Sequence, residues 1–139
     1  MPSVESAPGP GRLIRRQEFL AVAGARRKWV APGLILQARR HDDRQRPGTG
    51  EASIRVGFTA SKKVGNSVAR NRARRRLREV VREVLAPNAA PGYDFVLIAR
   101  ADTVKRPYAD LKQDLATGLK RLGAWRAQEG RAPEAKPAP

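Results

Sequence analysis

SKKVGNSVARNRARRRLREVVR, the sequence of residues 61–82, contains nine basic residues and a single acid, Glu79. Such a charge density is typical of disordered tails, but the apolar residues here recur at helical spacing. This apolar set continues just beyond the segment and consists of Ala73, Leu77, Val80, Val81, Val84 and Leu85. The pattern predicts a folded, amphipathic and strongly cationic helix whose apolar side packs against the rest of the chain.

The charge of this helix is divided between two flanks of the apolar stripe. At about 100° per residue, one flank carries Asn71, Arg74, Arg75, Arg78 and Arg82. The other flank carries Arg72 and Arg76, near Glu79 and Glu83.

Both ends of the cationic helix have recognisable signals. Asn66 or Ser67 is suited to cap its start, because either side chain accepts a hydrogen bond from a free backbone N–H group. Pro87 predicts its end at about Leu85 or Ala86, since proline cannot continue a helix.

Regular elements are also predicted on both sides of the cationic helix. They are a helix at 13–23, strands at 34–40, 54–60 and 94–100, and a helix from 108 to between 122 and 125. Phe19, Val22 and Ala23 share one side of the first helix. The strand at 54–60 has a second, polar face that is predicted to be open at Gly57. This order predicts one small α/β (α+β) domain with a βαβ unit inside a mixed sheet.

The chain is predicted to comprise one domain and two tails. Residues 1–11 and 127–139 are rich in Pro, Gly and Ala and lack an apolar period, so we expect both to be disordered. The folded domain then spans residues 12–126. Residues 41–52 have the composition of a long loop, to which no role is assigned.

The overall charge predicts a polyanionic partner. Among 139 residues, 29 Lys+Arg stand against 13 Asp+Glu, which gives a net charge of +16 and a pI of about 11.6. Cysteine is absent, which fits a cytoplasmic location. No apolar run approaches the roughly 20 residues of a membrane span. The cationic helix has few large aromatic residues to anchor it on an acidic membrane, so no membrane partner is expected.

Groups suited to catalysis by the protein itself are scarce. The only histidine, His41, lies beside Asp42 and Asp43 in loop material, without a second histidine or a cysteine nucleophile. Gly57 and Gly65 do not have the spacing of a phosphate-binding loop. The sequence therefore predicts no catalytic residue and no metal site in the protein.

The arginine bias points instead to binding of nucleic acid, because guanidinium groups bind phosphate bidentately and stack on bases. Charge alone leaves RNA and DNA open. A groove beside the sheet would suit a single strand, with Phe19, Arg55 and Thr59 along it. For Phe19, the alternative of a plain core position stays equally open.

The order of these motifs resembles the bacterial ribonuclease P protein family. The matching residues are the run SKKVGNSV at 61–68, Arg70-Asn71-Arg72, Arg74-Arg75, the RVGF strand, the strand YDFVLIAR at 93–100 and the leucine-rich last helix. The resemblance covers residues 12–125 and implies a fold like ribosomal protein S5 domain 2, with a left-handed βαβ crossover. It also implies an endonuclease subunit in tRNA processing, monomeric outside the holoenzyme.

In that family a large RNA subunit, using Mg²⁺, removes the 5′ leader from precursor tRNA. The resemblance implies that Arg70, Asn71, Arg72, Arg74, Arg75 and Arg78 face the catalytic RNA. It places Lys62 and Lys63 at the edge of a cleft between this helix and the sheet, where Phe19 contacts the leader. Ala23 departs from the family, because members often have a second aromatic residue there. A structural RNA-binding protein and a stand-alone nuclease are the alternatives.

Overall fold

The computed structural model describes residues 10–40 and 54–126, in which a five-stranded mixed sheet lies between helices. The strands are β1 (Gly11–Arg12), β2 (Lys28–Val30), β3 (Leu34–Arg40), β4 (Ile54–Thr59) and β5 (Tyr93–Ala99). The helices are α1 (Arg16–Gly24), α2 (Ser67–Val80), α3 (Ala86–Asn88) and α4 (Tyr108–Arg121). A π-helical segment, Val81–Leu85, joins α2 to α3, and short 3₁₀ turns form at Lys62–Val64 and Ala101–Thr103.

The sheet has the order β1-β4-β5-β3-β2. β4 pairs in parallel with β5, Val56 standing opposite Phe95, and β5 pairs antiparallel with β3, Leu36 standing opposite Leu97. The chain passes from β4 through α2 to β5, which confirms the predicted βαβ unit and the mixed α/β fold. β5 is buried along almost its whole length, because it is central in the sheet and covered on both faces.

The two faces of the sheet are covered by different helices. The larger core lies on the face covered by α2, the π-helical segment and α4, and it includes Leu36, Leu77, Phe95 and Leu115. On the opposite face α1 packs over β3 and β5, forming a smaller cluster of Leu13, Val22 and Val96 with the partly buried Phe19 and Ile98. The protein therefore has three layers, with the sheet in the middle.

The start of α2 is as predicted, but its end is not. Asn66 is the N-cap, and its Oδ1 accepts the N–H of Ala69 at 2.9 Å. The helical path continues through the π-helical segment and α3 to Asn88, so the prediction that Pro87 ends the helix is wrong. The bond from the Ala86 N–H to the Val81 carbonyl widens the helix just before the proline, where an α-helical turn would meet the pyrrolidine ring.

Two boundaries near the N-terminus, and the burial of one residue, differ from the prediction. Gly11, predicted in the tail, pairs with Arg55 in β1, and the N–H of Leu13 donates to the Val56 carbonyl at 3.0 Å. Leu13 therefore extends the sheet, and α1 begins only at Arg16. Ala23, predicted on the packed side of α1, is exposed.

The ends of the last elements also shift slightly. The strand predicted at 54–60 ends at Thr59, and α4 ends at Arg121, before Leu122 and Trp125. Gly123, with a φ of 74°, turns the chain there, so that Trp125 forms a bridge with Ala89. The loop predicted at 41–52 and both tails, apart from Pro10 and Gly11, lie outside the described residues.

Candidate nucleic-acid interface

A cationic surface covers the side of α2 that faces away from the core. Ala73, Leu77 and Val80 are fully buried on the inner side, as the helical spacing predicts. The residues predicted to bind RNA form the outer side, and we call them the α2 surface: Arg70, Asn71, Arg72, Arg74, Arg75 and Arg78. Asn71, Arg72, Arg75 and Arg78 are exposed, whereas Arg70 and Arg74 are half-buried.

Neighbouring groups hold several side chains of the α2 surface in place. The Oδ1 of Asn71 accepts a hydrogen bond from Arg74 at 3.1 Å, and the guanidinium of Arg78 lies 5.9 Å from the centre of the Phe58 ring. Within the described ranges no carboxylate pairs with Arg72 or Arg75. As far as the described residues go, both guanidinium groups are therefore available to bind an external anion.

The other arginines of this helical region make contacts within the protein. Arg76 donates a hydrogen bond to the carbonyl of Arg106 and lies 5.9 Å from the ring centre of Tyr108. Arg82, predicted on the flank away from Glu79, forms an ion pair with it, because side chains three residues apart are neighbours on a helix. Arg76 and Arg82 thus stand apart from the α2 surface.

Lys62 and Lys63 lie in the 3₁₀ turn that leads into α2, and both are exposed. The turn is fixed by Ser61, whose Oγ accepts the N–H of Lys63 at 3.3 Å. Because the turn precedes the helix N-terminus, these lysines add their charge to the positive end of the helix dipole. They continue the α2 surface toward the end of β4.

The polar face of β4 is closed at Gly57, so the prediction of an open sheet face there is wrong. A Cβ on Gly57 would stand 2.6 Å from two atoms of the Phe19 ring and 3.1 Å from the Cβ of Leu13. Phe19 therefore covers the sheet at this point. Phe19 is only partly buried, and the exposed Thr59 follows Gly57 on the same face of β4.

Arg55 is bound by two carboxylates of the protein itself. Its guanidinium donates to both oxygens of Asp94, at 2.9 and 2.8 Å, and to Glu18 at 3.1 Å. The hydrogen bonds to Asp94 raise the pKa of Arg55. Arg55 thus ties α1 to the sheet, and sequence reasoning missed both partners. The available signal was Asp94 itself, an acid at the start of an otherwise apolar strand.

Glu18 has a second role at the start of α1. Its Oε1 accepts the N–H groups of Ile14 at 2.8 Å and of Arg15 at 2.9 Å. These backbone hydrogen bonds, that of Arg15 first, lower the pKa of Glu18, and Arg55 lowers it further. The ionised carboxylate therefore fixes both the first turn of α1 and the position of Phe19 one residue later.

The structure separates the predicted site residues into two groups. Side chains alternate along β4, so Arg55, Gly57 and Thr59 face α1, whereas Val56 and Phe58 face α2. The prediction that Phe19 and Arg55 line a cleft between α2 and the sheet is therefore wrong. Phe19, Arg55 and Thr59 line the α1 side, and the turn with Lys62 and Lys63 connects this side to the α2 surface.

Residues 10–40 and 54–126 contain neither a metal-binding cluster nor a membrane-spanning helix. No group of three or more His, Asp or Glu residues there is arranged to hold a metal ion. No helix in the same ranges is long and apolar enough to cross a membrane. His41, Asp42 and Asp43 lie outside these ranges.

Comparison with known families and proteins gives a consistent match. The family model described as Ribonuclease P matches residues 8–123. A protein of Paramagnetospirillum magneticum named Ribonuclease P protein component is 55% identical over 117 residues, which cover 81% of this chain and 83% of that protein. One of the same name from Ruegeria pomeroyi is 49% identical over 124 residues, covering 88% and 94%.

Solved structures show the same fold at much lower identity. The RNase P protein of Staphylococcus aureus superposes with a TM-score of 0.64 at 19% identity, covering 83% of this chain and 97% of that one. The RNase P protein of Thermotoga maritima gives 0.62 at 23% identity, covering 79% and 96%. The three-layer arrangement is therefore shared with these two proteins.

Proposed function

The chain belongs to the ribonuclease P protein family, and from that premise we propose that it binds the catalytic RNA through the α2 surface and contacts the 5′ leader of precursor tRNA. As a ribonuclease P protein component it is a subunit of an endoribonuclease that processes tRNA. The single observation that carries the proposal is the pair Arg72 and Arg75. Both are exposed, and no carboxylate of the described ranges pairs with them.

Within this proposal the protein contributes binding rather than bond cleavage. Its cations lower the repulsion between two polyanions, the catalytic RNA and the precursor tRNA, and this raises the affinity of the complex for its substrate. The RNA subunit supplies the hydrolytic chemistry with Mg²⁺ that the RNA holds.

The leader is proposed to run along the α1 side of the sheet. The accessible part of the Phe19 ring offers a surface on which a base can stack, and Thr59 lies exposed on the same face. Lys62 and Lys63 then contact phosphates where this side meets the α2 surface. Arg55 positions α1 through its ion pairs with Glu18 and Asp94. Only the part of its guanidinium group that these ion pairs do not occupy can contact the leader.

Reconstitution tests the proposal directly. We expect the full chain to stimulate 5′ cleavage of precursor tRNA by a bacterial ribonuclease P RNA at low magnesium concentration. Neutralising two phosphate contacts with Arg72→Gln and Arg75→Gln should lower the slope of log affinity against log salt by about 1.4 to 1.8 units. The matched control, Arg82→Gln with Lys105→Gln, removes the same charge from exposed positions outside the α2 surface and should preserve most of that slope.

The same experiment separates the alternative functions. A structural RNA-binding protein would bind with the same salt dependence but give no stimulation of cleavage. A stand-alone nuclease would cut precursor tRNA without the RNA subunit. Either result would reject the proposed subunit role, and a preference for DNA over both RNAs would reject the RNA assignment.

A further inference from the structure

A second cationic surface lies at the opposite edge of the sheet from β4. It is formed by the turn after α1, by β2, and by the end of α4 with the residues that follow. We call it the β2–α4 surface, and its cations are Arg26, Arg27, Lys120, Arg121 and Arg126. All five are exposed. Nothing in the proposed function uses them.

This surface has no acidic counterpart on the same segments. Residues 24–40 and 115–126 contain neither Asp nor Glu. Folding brings the two cationic segments together, since Arg27 donates a hydrogen bond to the Leu122 carbonyl and the guanidinium of Arg121 lies 5.4 Å from the ring centre of Trp29. Collecting like charges in this way costs folding free energy, which a bound polyanion would offset.

Neutral groups fix the direction of several of these cations. Arg121 lies over Trp29, and the Nζ of Lys120 lies 4.7 Å from the ring centre of Trp125. Arg126 donates to the Pro87 carbonyl at 2.7 Å. Rings and carbonyls orient these groups without neutralising their charge, so they are preorganised for an anion.

Trp29 itself is held close to α4. A Cβ on Gly118 would stand 2.9 Å from the Cδ1 atom of the Trp29 ring. The glycine therefore lets β2 approach the helix closely enough for Arg121 to reach the ring. The tryptophan serves as a platform for the cation.

The β2–α4 surface is separate from the α2 surface. β2 stands at one edge of the sheet, whereas α2 packs over β4 and β5. Three strand spacings, about 14 Å, lie between β2 and β4. An anion bound at one surface therefore leaves the other free.

We propose that the β2–α4 surface binds a further RNA segment through its phosphodiester backbone, in addition to the RNA bound at the α2 surface and the leader on the α1 side. This inference rests on the proposed function. Repeating phosphates match a surface whose cations are spread over two segments, and guanidinium groups are suited to phosphate. A protein partner is less well matched, because protein interfaces have an apolar centre. Among the described residues of β2 and the end of α4, Val30 is the only exposed large hydrophobic residue, with 49% of its surface accessible.

A charge-neutralised variant tests the inference in the complete ribonucleoprotein. The full chain with Arg27→Gln, Lys120→Gln and Arg121→Gln is titrated against a bacterial ribonuclease P RNA, with and without precursor tRNA, from 50 to 200 mM salt. We expect the salt slope to fall by about two to three units, and the affinity at the higher salt to fall on the order of tenfold or more. The control removes three scattered, exposed cations with Arg12→Gln, Arg16→Gln and Lys105→Gln. Its slope should stay closer to that of the unaltered protein.

Tethered cleavage provides a measurement that does not depend on affinity. The chain has no cysteine, so Lys120→Cys and Arg75→Cys each give a single attachment point for an iron chelate. We expect hydroxyl radicals from the two positions to cut different, non-overlapping RNA segments. Cleavage no stronger than background from position 120 would overturn the inference.

The outcomes distinguish this inference from the proposed function. If the α2 variant Arg72→Gln with Arg75→Gln loses slope and the β2–α4 variant behaves like the unaltered chain, only the second surface is rejected. If the unaltered chain binds neither RNA, the proposed function fails as well. Poly-glutamate serves as a probe that resembles an acidic protein segment. If the unaltered chain binds poly-glutamate and the β2–α4 variant does not, while the variant still binds RNA like the unaltered chain, the surface would be assigned to an acidic protein segment and the inference rejected.

Discussion

The ring of Phe19 lies directly over Gly57, with two ring atoms 2.6 Å from the place that a Cβ on this glycine would occupy. The contact joins α1 to β4 across the face on which the leader is proposed to bind. A side chain at position 57 would displace the ring, so this glycine determines how far Phe19 stands above the sheet. Phe19 thus packs against the small core under α1 and is also partly exposed on the face where the leader is proposed to bind.

Gly57→Ala should therefore destabilise the protein by about 1 to 3 kcal/mol, since inserting a methyl group into a packed contact forces neighbours to shift. Denaturant unfolding measures the change. Gly24→Ala is the matched control, because nothing lies within 4 Å of a Cβ there. Equal effects of the two substitutions would contradict the role assigned to the close contact.

The same relationship shows what the sequence could and could not predict. The alternation of residues 34–40 predicted β3 with its observed bounds, and the helical spacing predicted the buried side of α2. In both, the pattern within one element is sufficient. Which helix covers which face of the sheet depends on the path of the chain between elements, so the closed face at Gly57 was missed.

The sequence-based prediction missed the two shortest strands and the ion pairs between distant segments for a related reason. β1 and β2 have two and three residues, too few for any period, and they exist because β4 and β3 pair with them. The partners of Arg55 come from α1 and β5, and no local pattern joins those segments. The cations of the α2 surface were predictable because one continuous helix carries them all.

Glu18 predicts a pH dependence of stability. Its pKa in the folded protein lies below the ordinary value of 4.5, because backbone N–H groups and Arg55 favour the ionised form. The lowered pKa contributes stability that is fully present above about pH 4.5 and is lost as the pH falls through the folded value. Glu18→Gln removes this contribution.

We therefore expect Glu18→Gln to be less stable than the unaltered chain at pH 7 by about 1 kcal/mol. The difference should shrink steadily below pH 4.5. Denaturant unfolding at a series of pH values from 7 to 3 provides the measurement. A difference that stays constant over this range would show that the carboxylate charge does not stabilise the first turn of α1.

The buried hydroxyl of Thr103 should make a measurable contribution to stability. Its Oγ1 accepts the N–H of Arg100 and donates to the carbonyl of Gly33, both at 2.7 Å, and the residue is fully buried. Thr103→Val keeps the shape but leaves both backbone groups without this partner, so we expect a loss of about 2 to 4 kcal/mol. Thr103→Ser keeps the hydroxyl and should cost only about 1 kcal/mol, as expected for one buried methyl group. Thermal unfolding of the two variants compares them, and equal losses would contradict the hydrogen-bond explanation.

Arg26 has a strained backbone conformation and also lies on the β2–α4 surface that is proposed to bind RNA. It is the only non-glycine residue in the described ranges with a positive φ, 59°, a conformation that costs an ordinary side chain roughly 1 kcal/mol. Arg26→Gly should relieve this strain and stabilise the protein by about 0.5 to 1 kcal/mol in denaturant unfolding. The same substitution removes one cation from the β2–α4 surface, so the salt slope of RNA binding should fall by about 0.7 to 0.9 unit. Arg26→Lys separates the two effects, because it keeps both the charge and the strain and should leave stability and slope near those of the unaltered chain. A glycine variant that gains stability with an unchanged slope would show that position 26 does not contact RNA.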